Sequence, residues 1–185
     1  MGLTGGRGDD FFDVTAFNDN VSLFVNLGDG NDSIAFLKDN LQSGWDVDGG
    51  NGINTLQVDQ GVVLSNAYTN FQTIAFKGDS SVVQDMNDLP DSMTSVQIRV
   101  ADGESVTVTS LDDGDTVTLR GGQSAAIILQ GSGGLNTINL ILDDEDQQGI
   151  NIDDPDGGVV IDSNIQKVVL ISGSGQTHSL DMNDS

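Results

Sequence analysis

Three stretches decide the fold of this chain: Gly5-Gly6-Arg7-Gly8-Asp9-Asp10-Phe11-Phe12, Leu27-Gly28-Asp29-Gly30-Asn31-Asp32-Ser33-Ile34 and Gly49-Gly50-Asn51-Gly52-Ile53-Asn54-Thr55-Leu56. Each is a glycine turn that closes on a carboxylate or an amide, followed two residues later by an apolar side chain. Successive copies start 22 residues apart. A constant interval lays equivalent residues on top of one another, which is what stacked coils of a solenoid require. Stacking gathers Asp10, Asp32 and Asn54 into one column of oxygen donors. Phe12, Ile34 and Leu56 form a second column, each pointing inward at the start of a short strand. Glycine admits positive φ and lets carbonyl oxygens approach an ion. A hard cation takes about six to eight oxygens from carbonyls and carboxylates. The column therefore points to calcium.

Composition sets the frame around this motif. A chain of 185 residues is expected to be one domain with a substantial core, here a single elongated solenoid over residues 1–185. Its 29 acidic residues against 6 basic ones give a formal charge of −23. Such self-repulsion opposes compaction unless counter-ions neutralise it. It also excludes nucleic acid, which needs clustered Lys and Arg, and anionic membrane surfaces. Cysteine is absent, so a secreted chain needs another staple, and calcium coupled to folding would supply one. The longest apolar runs, such as Ala125-Ala126-Ile127-Ile128-Leu129, are strand-sized, so no membrane insertion is expected. No basic region followed by an apolar core opens the chain. Met1 precedes a repeat already in progress, which gives the expectation of a fragment of a longer protein.

The glycine turns resemble the RTX nonapeptide Gly-Gly-x-Gly-x-Asp-x-U-x, with U apolar, a calcium-binding β-helix repeat. Its sixth position falls on Asp10, Asp32 and Asn54, its eighth on Phe12, Ile34 and Leu56. The resemblance implies ions held between the turns of adjacent coils and shared by both. The candidate metal residues are Asp10, Asp32 and Asn54, together with Arg7, Asp9, Gly28, Asp29 and Gly30 from the first two turns. The chain departs from the family in three ways. It carries one motif per coil of about 22 residues where RTX repeats run uninterrupted, two per coil. Leu27 replaces the first glycine, and Asn54 lowers the charge of the third turn. The Asp10–Asp32 interface is thus the stronger candidate, and the Asp32–Asn54 interface the weaker.

Along the chain, short apolar runs bounded by Gly, Asn and Asp read as strands: Val21 to Leu27, Trp45 to Val47, Thr55 to Val58 and Phe71 to Phe76. Leu37 to Gly44 reads as one helical turn or a loop. The pattern breaks over residues 80–92, where Gln84 to Asp91 is polar, acidic and carries Pro90. This is expected to be a bulging loop joining a calcium-binding block, 1–79, to a metal-poor block, 93–185. In the second block Gly103 and Gly114 open similar phrases at half-coil spacing. Val106/Thr107 and Val117/Thr118 are expected to pair as β-branched ladders. Gly131 to Ile138 repeats the turn of Gly49 to Leu56, with Asn136 in the sixth position, and Gly173 to Leu180 reads as a final copy. Thr69 to Phe76 parallels Ser163 to Leu170, which supports one continuous architecture. The fold class is all-β, a parallel β-solenoid.

RTX-like turns combined with valine- and threonine-rich coils resemble the S-layer and related surface proteins exported by Gram-negative type I secretion. The resemblance implies a chain exported unfolded, with calcium driving folding and lattice assembly outside the cell. Other signals have plainer readings. Arg7-Gly8-Asp9 spells an integrin-binding tripeptide but lies wholly inside the glycine turn. His178 is the only histidine and has no cysteine partner, so it reads as a solvent-facing turn residue. Asp143 to Asp146 and Asp153 to Asp156 read as solvated acidic loops, with weak calcium binding at the solenoid edge as the alternative. Trp45, Tyr68 and the seven Phe are too sparse for an aromatic sugar platform, and Trp45 is expected in the packing.

No nucleophile–base pair and no metal triad appear, so no catalysis is expected. The leading expectation is a calcium-dependent structural module of an extracellular surface-layer or matrix protein. Its partners would be calcium, further copies of the parent protein and a surface glycan. The rivals are a calcium-binding accessory or secretion module of a secreted enzyme or toxin, and an adhesin segment.

Overall fold

The computed structural model describes residues 1–16, 22–37, 44–64, 67–78, 81–100, 104–120, 126–133, 136–143, 158–161, 164–172 and 177–181. Within them the chain winds as a parallel β-solenoid with two walls. One wall is a single nine-stranded sheet: β2 (Phe11–Asp13), β4 (Ser33–Ala35), β6 (Thr55–Val58), β8 (Thr73–Gly78), β10 (Ser95–Val100), β12 (Thr116–Arg120), β14 (Asn136–Asp143), β16 (Ile165–Ser172) and β17 (Thr177–Asp181). The other wall comes in two pieces. The first holds β1 (Gly2–Thr4), β3 (Phe24–Asn26), β5 (Asp46–Asp48) and β7 (Tyr68–Thr69). The second holds β9 (Val82–Asp85), β11 (Ser105–Leu111), β13 (Ala126–Gly131) and β15 (Gly158–Ile161).

Register explains how this sequence makes such walls. Side chains alternate across a strand, so parallel in-register stacking sorts the chain into columns. Phe12, Ile34, Leu56, Ile74, Val96, Val117 and Leu140 stack in one inward column. All but the half-buried Phe12 are buried. Each such side chain contributes about 1.5–3 kcal/mol on burial. On β11, Val106 and Val108 are buried while Ser105 and Thr107 face outward half-exposed. The largest interior side chains gather beside Phe36. There Trp45 packs against Phe36 with ring centroids 5.5 Å apart, and Tyr68 meets Phe36 edge-on at 6.2 Å. The Tyr68 hydroxyl is buried without a hydrogen-bond partner, and burial pushes its pKa up to about 12.

The second wall changes pieces where the coil shortens. Asn54 and Gln72, equivalent in the ladder described below, are 18 residues apart instead of 22. Residues 61–64 then lay themselves against the start of the new piece. The Val62 N–H donates to Gln84 Oε1 at 2.9 Å, Gln84 Nε2 returns a bond to Val62 O at 3.0 Å, and Leu64 N–H donates to Asp88 O at 2.9 Å. Buried Gln84 thus substitutes a side-chain amide for a missing strand pair.

Several expectations from the sequence need correction. Residues 82–85, read as part of a joining loop, form β9, and Met86–Asp88 follow as a 3-10 turn capped by the Asp85 carboxylate. The polar composition hid a strand whose inward residues are Val82 and Gln84. Val106 and Val117 do not pair with each other, because half a coil separates them and places them on opposite walls. Val106 pairs with Val82 and Ile127, Val117 with Val96 and Leu140. The segment read as a final turn ends differently: β17 runs antiparallel on β16, with His178 opposite Leu170, in a strand and not a turn. An antiparallel strand at that edge interrupts parallel stacking. Residues 38–43, 144–157 and 173–176, on which other readings fall, lie outside the described residues.

Candidate metal centre

The three glycine turns stack as the spacing predicts. Arg7, Asp29 and Asn51 pair through parallel bridges. Asp29 N–H donates to Gly6 O at 3.0 Å and Asn51 N–H to Gly28 O at 2.8 Å, while Gly8 N–H and Gly30 N–H donate to Asp29 O and Asn51 O. The turns approach so closely that the glycines of the second and third turns have no room for a side chain, whereas Gly6 and Gly8 of the first turn face open space. A Cβ on Gly28 would stand 2.3 Å from Gly6 O, and one on Gly50 2.0 Å from Gly28 O, both at positive φ. The glycines of the second and third turns are required by this coil-to-coil contact, a reason the ligand argument alone does not contain.

Asp10, Asp32 and Asn54 do form one column, and it continues into Gln72. Asp10 N–H donates to Asp32 Oδ1 at 2.7 Å, Asp32 N–H to Asn54 Oδ1 at 2.9 Å, and Asn54 N–H to Gln72 Oε1 at 2.7 Å. Each side chain thereby satisfies a main-chain donor of the preceding coil. Asp10 Oδ2 accepts from Gly6 N–H within its own turn at 2.8 Å. Asn54 Nδ2 donates to Asn70 O at 3.0 Å and to Gly50 O at 3.5 Å. Asp32 is the exception. It is 1 % exposed, and its Oδ2 has no partner. A buried carboxylate oxygen left unpaired costs far more than an unpaired neutral group.

A second, outer ladder runs the other way. Asp9 Oδ1 accepts from Asn31 N–H at 2.7 Å, and Asn31 Oδ1 from Ile53 N–H at 2.9 Å. Asn51 Nδ2 donates to Asp29 Oδ1 at 2.8 Å. The side chains of Arg7, Asp9 and Asp29 are exposed on the turn surface, and the carboxylate of the Arg7-Gly8-Asp9 tripeptide is engaged in that ladder. Gly28 and Gly30 contribute backbone only, with Gly28 O already taken by Asn51 N–H. The sequence reading missed Asp48, whose carboxylate accepts from Gly50 N–H at 2.8 Å, Asn70 Nδ2 at 2.7 Å and Asn26 Nδ2 at 3.3 Å. Its place immediately before Gly49-Gly50 was the available signal.

The fit of these residues to calcium turns on Asp32. Among the described residues no three acidic or histidine side chains converge as a ligand set, so main-chain oxygens would have to complete any shell. The turn carbonyls retain a second lone pair each, and the orphaned Asp32 Oδ2 is a buried carboxyl oxygen without a hydrogen-bond partner. That donor chemistry, all hard oxygen, fits calcium.

Elsewhere, a cleft of about 280 Å³ is lined by Met86, Leu89, Met93, Asp112, Asp113 and Asp115, among others. Asp115 is buried and accepts from Asp112 N–H at 2.9 Å. Burial raises its pKa above the usual carboxylate value, only partly offset by that bond. The cleft's other acid groups are engaged by the next coil: Asp113 Oδ1 accepts from Thr137 N–H, and Asp112 Oδ1 from Ser132 Oγ. On the outer face of the first wall piece a groove of about 360 Å³ is lined by Thr4, Phe24, Asn26, Asp46, Asp48 and Thr69, among others.

Comparison with known protein families, with curated proteins and with solved structures yields no match.

Proposed function

We propose that this chain is a calcium-dependent structural module of an extracellular surface-layer or matrix protein. The observation that carries the reading is the Asp32 carboxylate, buried in the middle of three stacked glycine turns with one oxygen unpartnered. Asp10 and Asp32 are the side chains that would hold the ion, with carbonyls of the turns around Gly28 and Gly30. Asp9 and Asp29 would add negative potential at the turn surface. When bound, calcium would supply positive charge to a stack whose formal charge of −23 opposes compaction. Folding would then be linked to the ion, as suits a chain without disulfides that is secreted through a type I route and folds outside the cell.

The product of such a module is assembly. Acidic copies repel one another until calcium screens or bridges them. Millimolar calcium is therefore expected to drive the parent protein into sheets or fibres, and chelation to disperse them, as followed by light scattering and negative-stain imaging. A surface glycan is the further partner of such a layer. A parent that stays monomeric in saturating calcium, with hydrolytic activity in a neighbouring domain, would transfer the case to an accessory or secretion module.

A further inference from the structure

The sixth turn position is filled in two chemically different ways, and the difference has a consequence for each coil. Where the residue is asparagine, the amide closes its own turn. Asn54 Nδ2 reaches the carbonyl of Gly50 in its own turn and that of Asn70 in the next coil. Asn136, in the second block, repeats the first of these contacts: its Nδ2 donates to Ser132 O at 2.8 Å. Gly50 and Ser132 both stand four residues before the asparagine. In both turns the amide nitrogen also lies against the first-position glycine, 2.9 Å from a Cβ built on Gly49 and 2.8 Å from one built on Gly131.

Asp32 occupies the same position one coil before Asn54. Its Oδ1 performs the same ladder duty as Asn54 Oδ1, accepting the N–H of the preceding coil. Its other terminal atom differs. The counterparts of Gly50 and Asn70 one coil back are Gly28 and Gly49, by the register that pairs Asp48 with Thr69 and Asn26 with Asp48. An amide would donate there. An ionised carboxylate has no hydrogen to offer, and Asp32 Oδ2 is left buried and unpaired.

We infer that the side chain at this position decides whether a coil needs a cation: Asp32 makes its coil dependent on one, whereas Asn54 and Asn136 use an amide N–H in the cation's place. This rests on the calcium reading above and deepens it. Asn54 is then a substitute for the ion and not one of its ligands, and the coil through Asn136 is self-sufficient through the same device. Asp10 escapes the requirement because its Oδ2 takes the Gly6 N–H of its own turn.

The test exchanges the two groups and reads melting temperature in calcium and in chelator. Asp32→Asn is expected to melt about 3–10 °C above the unsubstituted chain in chelator, since a buried unpaired oxygen is replaced by a donor. Its melting temperature is expected to be indifferent to calcium. Adding Asn136→Asp to that variant is expected to restore a calcium response, now with hydrogen-exchange protection gained around residues 126–143. If Asp32→Asn fails to fold, Asn54→Asp carries the test: its melting temperature is expected to fall in chelator and recover in calcium. An Asp32→Asn chain as calcium-responsive as the unsubstituted one, or an Asn54→Asp chain unchanged in both conditions, overturns this inference alone. An unsubstituted chain indifferent to calcium overturns the calcium reading beneath it.

Discussion

Replacing Gly50 by alanine is expected to destabilise the chain by about 4 kcal/mol, among the largest effects available to one methyl group. Two costs add. Gly50 has φ +76, where an L side chain costs about 1–2 kcal/mol. Its Cβ would also sit 2.0 Å from Gly28 O and 2.9 Å from Gly28 N. Both are main-chain atoms, held in place by the Asn51 N–H bond to Gly28 O. Relief therefore requires the coils to part, which adds a cost of the overpacking kind, about 1–3 kcal/mol. Gly114 is the control. It has φ +93 but nothing within 4 Å of its Cβ, so Gly114→Ala is expected to cost only the backbone term. Denaturant unfolding of the two variants measures the difference. Equal and small losses would mean that the turns do not stack at the observed spacing.

Calcium affinity is expected to fall at least about tenfold on Asp32→Ala, and much less on Asn54→Ala, by titration calorimetry on folded protein. Asp32 offers the only buried unpartnered carboxylate oxygen among the described residues, in the middle turn that adjoins both interfaces. Both amide atoms of Asn54 are already engaged, so its loss is expected to appear chiefly as stability, about 1–3 kcal/mol. A larger loss of affinity at Asn54 would place the ion one coil further along than Asp32 Oδ2 indicates.

The solenoid was legible because its period is rigid where the glycines are. Asp10, Asp32 and Asn54 fall into one column solely from their spacing, and the strand starts at Phe12, Ile34 and Leu56 pair in that register. Where the period drifts, so did the reading. The coil through Gln72 loses four residues and the second wall restarts at β9, whose buried Gln84 carries no apolar signal. The antiparallel β17 was hidden because Gly173-Ser174-Gly175 repeats the sequence of Gly131-Ser132-Gly133, and sequence likeness does not carry the direction of the strand that follows.

The site was legible at the level of which residues gather and not of what they do. That Asp32 Oδ1 holds Asp10 N–H, while Oδ2 is orphaned, follows from stacking distances that spacing alone does not carry. The same holds for Asn54, whose neutrality argued for a weaker ligand but whose hydrogen bonds give it a closed turn. The glycines of the second and third turns, read as openings for an ion, are equally demanded by the main-chain oxygens of neighbouring coils.

The measurement that bears most directly on the calcium-stapled solenoid is thermal unfolding of this chain in millimolar calcium and in chelator. At about a hundredfold excess over the dissociation constant, the ion is expected to add about 2.7 kcal/mol and raise the melting temperature by about 5–10 °C. Magnesium, with its stricter octahedral demand, is expected to reproduce little of that rise. Superimposable curves in calcium and chelator would contradict the account and leave Asp32 as a buried carboxylate stabilised by the coils alone.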